Sequence, residues 1–99
     1  MSIIWSDLAI EELNDIEDYI ARDNPARAVS FVDELIDLGD SLSNEGEAEK
    51  GTPAKWIRDT NVREFYYKNY TIVYEICGDD IIIHEVYNSA KLSLQLRGW

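Results

Sequence analysis

Residues Arg63–Glu75 read "REFYYKNYTIVYE". Aromatic and β-branched residues lie on both sides of a two-residue break, Lys68-Asn69, and a link that short between two period-two segments marks a hairpin. Extending the pattern in both directions gives three strands, Val62–Tyr67, Tyr70–Cys77 and Ile81–Tyr87, the last two separated by "GDD". They are expected to form an antiparallel meander. In the middle strand Tyr70, Ile72, Tyr74 and Ile76 share one face, and Thr71, Val73, Glu75 and Cys77 share the other. The second, more polar face is expected to be open to solvent.

Upstream of the meander the period changes. "NEGEAEKGTPAK", Asn44–Lys55, has neither helical nor strand spacing and is rich in turn-forming and charged residues, which reads as a loop. Before it, Ala28, Phe31, Val32, Leu35, Leu38 and Leu42 recur at helical spacing, as do Ala9, Leu13, Ile16 and Ile20. Ser6 and Asp7 supply N-cap chemistry for the first helix. At "DNPAR", Asn24 can cap the second helix, and Pro25 suits its first turn because an N–H there would have no partner. Two amphipathic helices joined so tightly form an antiparallel hairpin. With "SIIWS" as a short N-terminal strand, the chain reads as one α+β domain over residues 1–99, its helices packed on one face of the sheet.

The 99 residues carry a formal net charge of −11, unevenly divided. Residues 1–49 hold fourteen acids against Arg22 and Arg27, whereas residues 50–99 hold seven cations against six acids. Within 50–70, Lys50, Lys55, Arg58, Arg63 and Lys68 face only Asp59 and Glu64. The net charge of −11 disfavours unaided attraction to a polyanion. The helical carboxylates are read as a solvated face conferring solubility, with docking of a basic surface as the alternative. One cysteine, Cys77, cannot form an internal disulfide, and the apolar runs are too short to span a membrane. "MSIIWSD" lacks the features of a secretory signal, so a cytoplasmic protein without membrane association is expected. A lone His84 and a lone Cys77 give no basis for a metal site, and no cofactor is expected.

The "S-x-x-A" start of the first helix, "DNPARA", "REFYYKNYTIVYEI" and "IIIHEVYNSAK", in this order, resemble the RelE/ParE family of toxins from type II toxin–antitoxin (plasmid stabilisation) pairs. The resemblance covers nearly the whole chain. It implies a growth-inhibiting toxin neutralised by a cognate antitoxin, present as a homodimer or a toxin–antitoxin hetero-oligomer. Two activities occur in the family. RelE-like members cut mRNA on the ribosome, and ParE-like members inhibit DNA gyrase by protein–protein binding.

Cleavage of RNA through its own 2′-hydroxyl requires a base, a proton donor and cations that hold developing charge. Arg63 matches the family's arginine before the second hairpin strand, and Lys91 matches a basic position of the tail. With Tyr66 and Lys68 they would compose the catalytic set of a nuclease. Two family positions depart from the pattern: Thr71 stands where an arginine is common, and Asn88 where the tail carries histidine. Losing one preorganised stabiliser costs about 2.7–4 kcal/mol. The resemblance therefore implies a ParE-like gyrase inhibitor rather than an enzyme. An mRNA endonuclease with an altered site is the first alternative, and a non-toxic interaction module of the same fold is the second. Arg63 is equally readable as a structural ion-pair partner, His84 and Cys77 as packing residues, and Tyr70 and Tyr74 as core.

Overall fold

The computed structural model describes residues 2–54 and 61–90. Strand β1 (Ser2–Trp5) leads into helix α1 (Asp7–Ala21) and helix α2 (Pro25–Asp40); strands β2 (Thr52–Pro53), β3 (Val62–Tyr67), β4 (Tyr70–Cys77) and β5 (Asp80–Asn88) follow. The five strands lie in the order β1-β5-β4-β3-β2. β1 runs parallel to β5, and every other pairing is antiparallel.

The helix starts form as the local chemistry dictates. Ser6 Oγ accepts from the Ala9 N–H at 3.0 Å, and Asn24 Oδ1 accepts from the Arg27 N–H at 3.1 Å. Each satisfies a backbone donor that has no partner inside its own helix. Pro25 opens α2, and the three residues between the helices fold α2 back on α1. Ala9, Leu13 and Ile16 of α1 and Phe31, Val32 and Leu35 of α2 are buried against Ile72, Tyr74, Ile81, Ile83 and Val86 of the sheet. Burying a leucine- or isoleucine-sized side chain contributes about 1.5–3 kcal/mol, so this layer is the main source of cohesion.

The helical stripe continues past the end of α2. Ser41–Ser43 form a 3-10 turn that buries Leu42, and a second such turn, Ala48–Lys50, buries Ala48. The Asn44–Lys55 stretch, expected as loop alone, is thus more ordered within its described part. Tyr74 Oη reaches across the core to donate to the Ala48 carbonyl at 2.6 Å, and β2 pairs Thr52 with Glu64 and Pro53 with Arg63. A proline is tolerated there because β2 lies at the sheet edge. Lys55 and Arg58 lie outside the described residues.

The polar face of β4 is not open, which corrects the expectation from alternation. Thr71 and Val73 are each 1% exposed, Glu64 beside them on β3 is 4% exposed, and Glu85 on β5 is fully buried. Ala54 returns over this side and packs with Val62, Val73 and Tyr87 in a second, smaller cluster. Alternation determines which side a residue points to, but a later segment determines whether that side is covered.

A β-bulge sets the register of β5. Val73 pairs with Glu85 but Tyr74 pairs with Ile83, so His84 is the additional residue on that strand. The slip lets Ile83 and Val86 both face the helices, where strict alternation would turn one of them away. β1 pairs with β5 only as far as Trp5–Ile83, and beyond that point the start of α1 lies along the strand. The hairpin turns behave as expected: Lys68 takes φ 53° and Gly78 φ 59°, the left-handed geometry that closes short links.

Candidate functional site

Arg63 and Tyr66 point to opposite faces, since they stand three positions apart on one strand. Arg63 lies opposite Tyr74 and turns toward the preceding segment, where its Nη1 donates to the Gly51 carbonyl at 2.9 Å and to the Glu49 carbonyl at 3.4 Å. Its guanidinium also faces Tyr74, whose burial pushes the phenol above its ordinary value while the arginine charge opposes the shift. The positive charge holds backbone in place on the helical side of the sheet.

Lys68 occupies the hairpin turn. Its Nζ is 3.6 Å from Glu34 Oε1 and lies over the rings of Phe31 and Tyr67, at 5.7 and 5.2 Å from their centroids. Glu34 also accepts from Tyr67 Oη and from Arg27 Nη1, each at 2.6 Å. These partners, led by the Tyr67 hydroxyl, hold its carboxyl below the ordinary carboxylate value. The network ties the β3–β4 turn to α2. Lys91 lies outside the described residues.

Tyr66 remains on the far face of the sheet, 52% exposed, with its hydroxyl donating to Glu64 Oε1 at 2.5 Å. That bond, with burial and the carboxylate charge behind it, pushes the phenol up to about 12. Tyr66 therefore keeps its proton at neutral pH and cannot act there as a base. Of the four residues expected from the sequence, Arg63 and Tyr66 are not brought together, and Lys68 joins neither of them.

Beside Tyr66, Tyr87 lies in an acidic setting that periodicity did not indicate. Glu64 comes from β3, Glu85 from β5 and Glu12 from α1, and Tyr87 experiences the charge of all three. Burial raises the Tyr87 phenol first, those carboxylates raise it further, and a hydrogen bond with Thr71 opposes them. Thr71 Oγ1 is also 2.8 Å from Ser89 Oγ, and Asn88 Oδ1 accepts from the Ala90 N–H at 2.9 Å. The two residues that depart from the nuclease pattern are therefore engaged in local packing and turn formation. One sequence signal did exist for the acids: Glu12 falls beside Leu13 on the apolar stripe of α1, and Glu64 and Glu85 fall within strands of otherwise apolar and aromatic residues.

Glu12 Oε1 accepts from the Val86 N–H at 2.8 Å, just beyond the bulge. Burial pushes its carboxyl up to about 7; the Val86 bond pulls the other way, and Glu85, Asp15 and Glu11 add repulsion. His84 lies apart from this group and pairs with Glu75 Oε1 at 2.8 Å. Among the described residues no group of three or more His, Cys, Asp or Glu is placed to hold a metal ion, and no helix is long and apolar enough to cross a membrane. The face offers an aromatic ring, hydroxyls and carboxylates. Of these the Tyr66 ring is the exposed group, and the carboxylate charge behind it disfavours phosphate.

An N-terminal strand, a helical hairpin and a five-stranded, mostly antiparallel sheet define an α+β protein of the RelE/ParE-like fold, with an acidic, aromatic far face. The family model for the ParE toxin of the type II toxin–antitoxin system, parDE, matches residues 3–92, and the chain belongs to that family. Among solved structures, a chain of the chromosomal ParDE TA system from P. aeruginosa is similar with a TM-score of 0.78 and 20% identity, over 89% of this chain and 95% of that chain. At that identity the likeness is one of fold. No curated protein matches the chain.

Proposed function

We propose that this ParE-family chain is the toxin of a type II pair, that it inhibits DNA gyrase by protein–protein binding, and that a cognate antitoxin neutralises it in a hetero-oligomeric complex. The observation that carries this reading is the composition of the far face. Where a ribosome-dependent nuclease needs cations and an exchangeable proton, Glu64 holds the Tyr66 hydroxyl, and Glu64, Glu85 and Glu12 act on Tyr87. Carboxylate charge at that place raises the energy of the phosphorane-like transition state, on which negative charge builds, so the face opposes cleavage of RNA by its own 2′-hydroxyl. A protein surface, by contrast, can stack an apolar or cationic side chain on the exposed Tyr66 ring.

The test uses purified toxin released from its co-expressed antitoxin. Inhibition of gyrase supercoiling, relieved by adding the antitoxin back, is the expected result, with no new 5′ ends in ribosome-bound mRNA by primer extension. Ribosome-dependent cleavage with unaffected gyrase would overturn the proposal. Loss of both activities in folded protein would leave only the interaction module.

A further inference from the structure

We infer that the outer seam of the helical hairpin, marked by Ile10 on α1 and Val29 on α2, docks a cationic amphipathic helix of a partner protein. Ile10 is 46% exposed and Val29 53%, the two large apolar side chains that the hairpin shows most openly besides Tyr19. Their placement follows from contacts on the opposite flanks of the two helices. On α2, Glu34 turns to Tyr67 and Lys68 of the β3–β4 hairpin, and Val29, five residues earlier, projects about 140° away from it, toward α1. On α1, Glu12 turns to β5, and Ile10, two residues earlier, projects about 160° away, toward α2. Because the chain folds back at Arg22–Asn24, Ile10 lies level with Ile36 and Val29 level with Glu17. The two exposed residues thus stand about 10 Å apart along the seam, the helical rise of seven residues. Ile36, half-buried on the core, lies in the seam beside Ile10.

Carboxylates line both lips. Asp7 stands three residues before Ile10 and Asp33 four after Val29, the spacings at which helix side chains are neighbours. Each begins a row of like charge at i, i+4, Asp7 with Glu11 and Asp33 with Asp37, and all four are exposed. Among the described residues none of the four is in an ion pair. Asp7–Ala21 contains no lysine or arginine, and the one cation of α2, Arg27, is held by Glu34.

This composition does not serve the hairpin itself. Exposed β-branched residues lower helix propensity, and like charges at i, i+4 destabilise a helix by a few tenths of a kcal/mol. A partner that covers Ile10 and Val29 and brings cations to both rows removes each penalty. The groove between two antiparallel helices suits a third helix, with apolar residues at i and i+7 on the seam and Lys or Arg to either side. The same acids exclude an anionic lipid surface and nucleic acid. The seam lies on the opposite side of the molecule from the far face on which the proposed function rests, and the inference does not depend on that reading.

Titration of the full chain into a fluorescently labelled synthetic helix tests this. The probe is a Leu/Lys peptide of about 18 residues whose leucines share one face, with a scrambled peptide of the same composition and a Leu/Glu helix as controls. Saturable one-to-one binding of the Leu/Lys helix is expected, weakening as salt rises, with about tenfold weaker binding of the scrambled peptide and none of the Leu/Glu helix. Amide shifts in NMR should centre on the seam between α1 and α2. Ile10→Thr combined with Val29→Thr keeps every charge, and it is expected to weaken binding about twentyfold while moving the melting temperature by less than about 2 °C. Asp33→Asn with Asp37→Asn should weaken binding and lower its salt dependence. Equal binding of the scrambled peptide, or unchanged affinity of the threonine variant, would reduce the attraction to net charge and overturn the inference. So would shifts centred on another surface, or no saturable binding of the Leu/Lys helix.

Discussion

Replacing Arg63 by alanine separates a residue that acts on a target from one that holds the fold. Its guanidinium donates to the carbonyls of Gly51 and Glu49, at 2.9 and 3.4 Å, and so fastens the 3-10 turn at Ala48–Lys50 to β3. A hydrogen bond from a charged donor contributes about 1.5–3 kcal/mol, and the longer of these two contributes the lesser share. Arg63 Nε is buried without a partner among the described residues, which subtracts from the gain. Removing the side chain also leaves the Gly51 carbonyl, paired in the wild type, to find water. The expected loss is about 2 kcal/mol, or about 8–16 °C in melting temperature for a domain of this size. Circular-dichroism melting beside a growth-inhibition assay reads both quantities. Arg63→Ala should lower toxicity only as far as it lowers the folded fraction, and Arg63→Lys should recover part of each. A melting temperature within about 2 °C of wild type, with growth inhibition abolished, would refute the structural assignment and place Arg63 in a contact with the target.

The close approach of α2 to β1 gives a second expectation. An added methyl at Gly39 meets the Trp5 indole ring and lies 2.8 Å from Ile83 Cδ1, so Gly39→Ala should destabilise by about 1–2 kcal/mol in urea unfolding despite alanine's better helix propensity. Earlier in α2, the Tyr67 hydroxyl and Arg27 hold the Glu34 carboxyl below its ordinary 4.5, so Glu34 contributes stability that is present above 4.5 and lost as pH falls through its lower folded value. Glu34→Gln should accordingly flatten the acid limb of a melting-temperature profile below pH 4.5 while leaving the alkaline limb unchanged.

The elements themselves were legible residue by residue. The spacing of Ala9, Leu13 and Ile16, the caps at Ser6 and Asn24, and the two-residue turn at Lys68-Asn69 all appear in the structure where the sequence places them. Tyr74 was readable as core. The acids of the helices were read as one solvated surface. That describes Asp15 and Asp18, which are exposed, but not Glu12, which turns toward β5.

Local sterics explain this division. Periodicity, capping and turn geometry depend on atoms within a few residues of one another, so the sequence by itself determined the two helices, the three meander strands and the side-chain directions along β3 and β4. Three features depended on residues brought together from far along the chain. The parallel seat of β1 against β5, the bulge at His84 and the covering of the polar face by Ala54 became determinate only when the layers packed. The candidate face belongs with them. Glu12, Glu64 and Glu85 come from a helix and two non-adjacent strands, and the action of Glu85 on Glu12 and of all three on Tyr87 arises only because folding brings them together and burial removes screening water.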